Sequence, residues 1–223
     1  MLQGPISPAR DDADLSPLGL ARLLAEVIDT LALEAPTVIA NDTGGAVSQL
    51  LIVHHGAHVG KLILTPCDSF DQFPPVEFKF LKLLPHVPGL TWMLSYLIRS
   101  PGFFNFTLRA GRAVKHAVAP EILKRFAGAA AANRLIRRDI IKSLAGIDTR
   151  ITNEVAAHFP SVHQPVLLAW GDGGMFSRKN AERMEALFPK AELKLIEDCW
   201  AFASLDQPGP LAQLIADFSA EAR

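Results

Sequence analysis

The sequence is short of cysteine and has no excess of either charge, and each shortage excludes a class of protein. Cys67 and Cys199 are the only cysteines among 223 residues, and they fit neither a metal site nor a disulfide framework. We therefore expect a reducing, cytoplasmic setting, and no metal or other cofactor. The 22 Lys and Arg residues nearly balance the 23 Asp and Glu residues, which leaves a net charge of −1. Neither nucleic acid nor a membrane is a predicted partner.

The sequence also lacks an apolar run long enough to cross a membrane. The most apolar long stretch, residues 83–98, is short for a span and is interrupted by Pro85, His86 and Pro88. Residues 1–14 are polar and rich in proline, so no signal peptide is predicted. Hydrophobic residues make up 49% of the chain, enough for the core of one domain or of one domain with an insertion.

Short apolar, β-branched runs alternate with amphipathic segments at both ends of the chain. Strands are predicted near residues 37–41, 61–65, 165–170 and 192–196. Helices are predicted over about 17–33, from 43 to about 55, over 177–187 and over 210–218. Between residues 70 and 159 helical patterns dominate, with aromatic residues first and basic residues later. The alternation predicts an α/β fold, a mostly parallel sheet of about four strands with helices on both faces.

The run Thr37-Val38-Ile39-Ala40 ends abruptly at Asn41-Asp42-Thr43-Gly44-Gly45, and an amphipathic segment follows at helical spacing. A strand, a turn of small residues and a helix start form a sharp elbow. Such an elbow lifts one side chain, here Asp42, above the sheet and near the positive end of the helix dipole. In the alternative interpretation, Asp42 only caps the helix that begins at Thr43.

The segment Ala40-Asn41-Asp42-Thr43-Gly44 resembles the nucleophile elbow of the α/β-hydrolase superfamily, with Asp where most members carry Ser. Members with Asp resemble haloalkane dehalogenases and epoxide hydrolases, in which the carboxylate attacks carbon and forms an ester. The resemblance covers about residues 14–218. It implies a core built from residues 1–69 and 161–223, and a helical cap over the active site from residues 70–160.

Position by position, the resemblance implies an incomplete catalytic set. Asp42 is the nucleophile, Asp68 or Asp172 the assisting acid, and the Thr43 backbone N–H one oxyanion donor. The histidine base is missing, because its place in the turn 198–202 is held by Ala201 and no histidine follows His163. The loop that supplies the second oxyanion donor is missing too, since the elbow falls so early in the chain. The chain is therefore expected to be an amino-terminally shortened member.

None of three subclasses of the Asp-elbow enzymes fits the sequence. The residue after the nucleophile is Thr43, where dehalogenases carry a halide-binding Trp and the fluoroacetate type carries Arg. Epoxide hydrolases use a pair of cap tyrosines, and Tyr96 is the only tyrosine here. Phe73, Trp92 and Trp200 are candidate substrate-binding residues, although an aromatic stripe of this kind more often forms core.

Two functions remain open. The chain could hydrolyse a small apolar molecule through Asp42, with Asp68 or Asp172 assisting. Alternatively, it could be a non-catalytic protein that binds an apolar ligand or a protein partner through the cap pocket. Because the strand at 37–40 would lack the neighbour that precedes it in the family, self-association through this exposed sheet edge is also expected.

Overall fold

The computed structural model describes residues 7–220. Its four strands form one parallel sheet in the order β1-β2-β3-β4. The strands are β1 (Thr37–Asp42), β2 (Lys61–Cys67), β3 (Val166–Gly171) and β4 (Ala191–Ile196). The predicted strands and their parallel pairing are confirmed. Every residue of β2 and β3 is buried, which explains why these central strands are continuous apolar runs.

Ten α-helices accompany the sheet within the described residues, and the four predicted helices are among them. The helices are α1 (Pro17–Thr30), α2 (Thr43–His54), α3 (Leu90–Leu97), α4 (Pro101–Ala110), α5 (Pro120–Ala132), α6 (Arg134–Ala145), α7 (Thr149–Ala156), α8 (Arg178–Leu187), α9 (Ala203–Asp206) and α10 (Pro208–Ala220). The Ser16 hydroxyl caps α1 by accepting a hydrogen bond of 3.1 Å from the Gly19 N–H. This helix ends before the predicted residue 33, because Ala32 adopts a positive φ of 49°.

The hydrophobic core lies on both faces of the sheet. Leu62 and Leu64 of β2 pack in a large cluster with residues of α1, α2 and α8. Ile63, between them, faces the opposite side and packs in a smaller cluster with residues of α10. Successive side chains of a strand point to opposite faces, so a wholly apolar strand supports helices on both.

Helices α3 to α7 lie between β2 and β3 in the sequence, as predicted for the insertion. A third cluster joins this segment to the elbow helix, because Ala46 of α2 packs there with Phe73, Leu84, Leu144 and Ile147. The inserted segment therefore packs against α2, the helix that follows the elbow.

Strand β1 forms one edge of the sheet within residues 7–220. Its Ile39 side chain is 50% exposed, and Leu23, Leu24 and Val27 of α1 are exposed beside it. These residues line an open apolar groove along β1. No helix in the described part of the chain is both long and apolar enough to span a membrane.

Candidate active site

Asp42 lies at the sharp turn between β1 and α2. It is the last residue of the strand, and its backbone has φ 54° and ψ −135°, a conformation that costs a residue with a side chain about 1–3 kcal/mol. The carboxylate makes no capping hydrogen bond to α2. The interpretation of Asp42 as a simple helix cap is therefore wrong, and the strained turn presents its side chain above the sheet.

The two glycines after Asp42 have different roles. A Cβ atom at Gly45 would overlap the Cys67 side chain, whereas a Cβ atom at Gly44 would meet open space. Gly45 thus allows α2 to approach the end of β2 closely. That approach brings the residue after β2, Asp68, next to the elbow.

Asp42, Thr43 and Asp68 line one cavity of about 90 Å³. The rest of its wall is apolar and comes mostly from the inserted segment: Pro74, Pro75, Phe78, Leu81, Leu84, Leu108, Ile140, Leu144 and Ile147, with Met175 and Phe202 from later turns. The described lining contains no lysine, arginine or histidine. Two carboxyl groups therefore face an otherwise apolar space beneath residues of the insertion.

Asp68 is the most deeply buried carboxyl group of this site, with 1% of its surface exposed. Its Oδ2 accepts a hydrogen bond of 2.9 Å from the Thr43 hydroxyl, and its backbone N–H donates to the Asp42 carbonyl oxygen at 3.3 Å. Its Oδ1 is buried without a hydrogen-bond partner among residues 7–220. The Gln49 amide donates to the Asp68 carbonyl at 2.9 Å and so fixes the backbone there.

The electrostatics of the cavity favour a proton on Asp68. Burial, and then the charge of Asp42, raise the pKa of Asp68 well above its usual value of 3.8, and the hydrogen bond from Thr43 offsets only part of this rise. Two carboxyl groups in one apolar space cannot both ionise at low cost. The arrangement thus pairs a candidate nucleophile with a neighbouring carboxyl group whose pKa is raised.

Asp172 lies apart from this pair and is not among the residues that line the cavity. Its carboxylate accepts hydrogen bonds from Lys115 Nζ at 3.1 Å and from the backbone N–H groups of Asp198 and Cys199 at 3.0 and 3.2 Å. Burial acts to raise the pKa of Asp172, but these hydrogen bonds outweigh it and the pKa is lowered. Of the two predicted assisting acids, the structure brings only Asp68 to Asp42, while Asp172 holds the turn that begins at Asp198.

The predicted aromatic residues are not among those that line the cavity. Phe73 is fully buried in the cluster beside α2, and Trp92 is 55% exposed and stacks on Tyr96 with ring centroids 6.0 Å apart. The Arg112 guanidinium carbon lies over the Trp200 ring, 5.9 Å from the ring centroid. The aromatic residues that do line the cavity are Phe78 and Phe202. Phe78 lies in a run of 3₁₀ turns, where the helical periodicity that would identify a buried face is lost.

The turn that would carry the histidine base is tied to the elbow by Asn41, a residue that sequence reasoning missed. The Asn41 side-chain amide donates to the Ala201 carbonyl at 2.8 Å and to the Pro66 carbonyl at 2.9 Å. Ala201 itself is fully buried. Asn41 thus joins the ends of β1 and β2 to this turn without adding a base.

No histidine is among the described residues that line the Asp42 cavity. All seven lie between residues 7 and 220, and His58 pairs with Asp29 and His116 with Asp198, at 2.7 and 2.9 Å. The described residues contain no group of three or more His, Cys, Asp or Glu side chains suited to a metal ion. The chemistry available in the cavity is therefore that of two carboxyl groups, a hydroxyl and the amino end of α2.

A curated relative matches most of the chain. The 2-hydroxy-6-oxononadienedioate/2-hydroxy-6-oxononatrienedioate hydrolase of Pseudomonas sp. is 26% identical over 203 residues, which are 87% of this chain and 66% of that protein. The chain thus spans 66% of the length of this relative.

Solved structures share the fold at low sequence identity. A lipase described as putative, from Acinetobacter baumannii AYE, superposes with a TM-score of 0.72 at 17% identity, over 95% of this chain and 69% of that one. The meta-cleavage product hydrolase of Pseudomonas fluorescens IP01 gives a TM-score of 0.74 at 13% identity, over 96% of this chain and 75% of that one.

The family model described as the alpha/beta hydrolase family matches residues 3–214, nearly the whole chain. The elbow, the parallel sheet and the insertion after β2 are the corresponding features of the structure. The chain belongs to the alpha/beta hydrolase family.

Proposed function

We propose that the protein hydrolyses a small, uncharged, apolar molecule, with Asp42 as the nucleophile and Asp68 as the proton donor and acceptor. The observation that carries this proposal is the strained elbow, which presents the Asp42 carboxylate to an apolar cavity next to a second, buried carboxyl group. Strain of this kind is typical of functional positions, because the surrounding structure must hold it in place.

The lining of the cavity supports an uncharged substrate. The Pseudomonas relative is named for a dioate, a molecule with two negative charges. Here the ionisable side chains on the cavity wall, within the described residues, are Asp42 and Asp68. The Asp42 carboxylate would repel an anion, and no lysine, arginine or histidine is present on the described lining to pair with it.

In the first step, an Asp42 carboxylate oxygen attacks a carbon atom of the substrate, and the bond from that carbon to an oxygen breaks. The departing oxygen takes the proton of Asp68, which becomes a carboxylate. For an epoxide the product is a hydroxyalkyl ester on Asp42. A protonated carboxyl group suits a departing oxygen, which needs a proton, better than a halide, which does not. Asp68 thus takes the place of the missing cap tyrosines.

In the second step, water attacks the carbonyl carbon of the Asp42 ester while the Asp68 carboxylate accepts a proton from that water. The ester bond breaks, the departing oxygen takes the second proton of the attacking water, the diol leaves, and Asp42 and Asp68 return to their starting states. The amino end of α2, opened by Thr43, faces the developing negative charge. General acid–base assistance of this kind is worth roughly 10²–10⁴-fold in rate.

Intact-protein mass spectrometry with peptide mapping tests this proposal, with propylene oxide and a small haloalkane as probes. We expect an ester adduct on the peptide that carries Asp42 and none in Asp42→Asn. Asp68→Asn should slow opening of the epoxide by roughly 10²–10⁴-fold and leave alkylation by the haloalkane nearly unchanged. Asp172→Asn is the matched control and should leave both reactions unchanged. Turnover that survives in Asp42→Asn contradicts the proposal.

A second candidate, a non-catalytic protein that binds an apolar ligand, is favoured by one observation. No histidine is present on the described cavity lining, so ester hydrolysis lacks the base that the family uses. If neither adduct nor product forms with any probe while an uncharged ligand binds the cavity, this second function is the correct one.

A further inference from the structure

A second cavity, of about 130 Å³, lies within the inserted helices. It shares four wall residues with the Asp42 cavity: Phe78, Leu81, Leu84 and Ile140. The remaining walls come from Phe80, from α3 and the residue after it, and from α4 and α5: Phe80, Thr91, Leu94, Ser95, Ile98, Phe103, Thr107 and Ala130. The two cavities are thus back to back across one layer of apolar side chains.

The Asp42 cavity is too small to be a complete binding site for an apolar molecule of ordinary size. Its volume of about 90 Å³ is below the roughly 150 Å³ of an apolar cavity that accepts benzene. A ligand longer than a few heavy atoms must therefore extend beyond it. The shared wall separates it from the larger space.

The second cavity contains three hydroxyl groups, and two of them already have acceptors. Ser95 Oγ donates to the Thr91 carbonyl at 2.6 Å, and Thr107 Oγ1 donates to the Phe104 carbonyl at 2.7 Å. The Thr91 hydroxyl is buried and makes no hydrogen bond to any residue between 7 and 220. Buried polar groups are nearly always paired, so a buried hydroxyl of this kind marks a place for a polar ligand atom or a water molecule.

We propose that the second cavity holds the far end of a linear, uncharged apolar substrate, and that the Thr91 hydroxyl binds a neutral oxygen at that end. The reacting end then lies in the Asp42 cavity, and the chain crosses the wall at Phe78 and Ile140. The identity of the reacting end rests on the function proposed above. The chain-binding site itself does not, because binding requires no reaction.

Calorimetric titration with methyl butyl, methyl hexyl and methyl octyl ketones tests the site, since these ketones cannot be hydrolysed. We expect affinity to rise about three- to fourfold per methylene along the series, as each methylene leaves water. Ala130→Leu, which fills only the second cavity, should stop this gain after the shortest ketone. Gly128→Leu is the matched control on the same helix, because its Cβ points into open space, and it should keep the gain.

Thr91→Val tests the polar contact. The probes are methyl octyl ketone and an analogue of equal length that ends in a methoxy group. The wild-type preference for the methoxy ligand should fall about three- to tenfold in Thr91→Val, the usual value of one hydrogen bond. Thermal unfolding of each variant confirms that it is folded.

The outcomes separate the two proposals. Asp42→Asn should bind the ketones with the same gain per methylene, whether or not the protein is an enzyme. A wild-type series that gains nothing beyond the shortest ketone, or an Ala130→Leu variant that gains as the wild type does, overturns the chain site. An unchanged methoxy preference in Thr91→Val overturns the role of Thr91.

Discussion

The Thr43 hydroxyl donates a hydrogen bond of 2.9 Å to Asp68 Oδ2, so the first residue of α2 holds the carboxyl group that follows β2. The contact joins two segments that lie 25 residues apart in the sequence. Thr43 therefore acts in two ways: its hydroxyl binds Asp68, and its backbone N–H lies at the amino end of α2.

Asp68→Asn should stabilise the fold at neutral pH. Since burial and Asp42 raise the pKa of Asp68 above 3.8, its value in the unfolded chain, the folded state holds the proton more tightly. The stability from this group is full below the unfolded pKa and is lost as pH rises through the folded pKa. We expect the free energy of unfolding of Asp68→Asn to exceed that of the wild type by about 1–3 kcal/mol at neutral pH. Urea titrations of both proteins across pH measure this, and an advantage of Asp68→Asn that does not grow as pH rises would contradict it.

Gly45→Ala should destabilise the fold far more than Gly44→Ala. The added methyl group at Gly45 overlaps the Cys67 side chain, which is itself fully buried and cannot move aside. We expect a loss of about 1–3 kcal/mol for Gly45→Ala. Gly44→Ala meets open space within the first turn of α2 and should be neutral or slightly stabilising. Paired urea denaturation curves check this, and equal effects of the two substitutions would refute the close approach of α2 to β2.

Asp42→Gly should be more stable than Asp42→Ala. Both substitutions remove the carboxylate beside Asp68, but only glycine adopts φ 54° and ψ −135° without strain. We expect glycine to be ahead by about 1–2 kcal/mol in the free energy of unfolding. Neither variant should form an ester adduct. If alanine proves as stable as glycine, the elbow is not strained.

The β1 edge should mediate self-association. Ile39 projects from an edge strand into an open groove lined by Leu23, Leu24 and Val27, so its burial against a second copy is favourable. We expect Ile39→Lys to shift the protein toward monomer in size-exclusion chromatography with light scattering. Val87→Lys, at a similarly exposed apolar position in the inserted segment, is the control and should not shift it. A wild-type protein that elutes as a monomer of 24.2 kDa at high concentration contradicts the prediction.

The elbow, the start of α1 and the buried strand β2 could be predicted, because short runs of neighbouring residues determine each of them. The β-branched run before Asn41 and the small residues after Asp42 predicted the elbow, and Ser16-Pro17 predicted the start of α1. The apolar run at 61–65 predicted a strand buried on both faces, since a half-exposed strand would alternate. Each of these features depends on the conformation of a few neighbouring residues.

The carboxyl group that lies beside Asp42 could be predicted only as one of two alternatives. Asp68 and Asp172 each follow a buried strand, and the sequence by itself did not distinguish them. The tertiary structure decided in favour of Asp68, because β1 pairs directly with β2, while Asp172 lies beyond β3 and is held by Lys115. Separation across the sheet is set by strand order, which no local pattern of residues encodes.

By itself, the sequence determined that a carboxylate stands on a strand–turn–helix elbow and that the histidine place in the later turn is occupied by Ala201. Only the tertiary structure decided what surrounds that carboxylate: Phe78 rather than Phe73 or Trp92 on the cavity wall, and an adjoining cavity lined in part by Thr91. The reason is physical. The elbow follows from backbone preferences within a few residues, whereas a cavity is the space left when distant segments pack, and its walls depend on all of them at once.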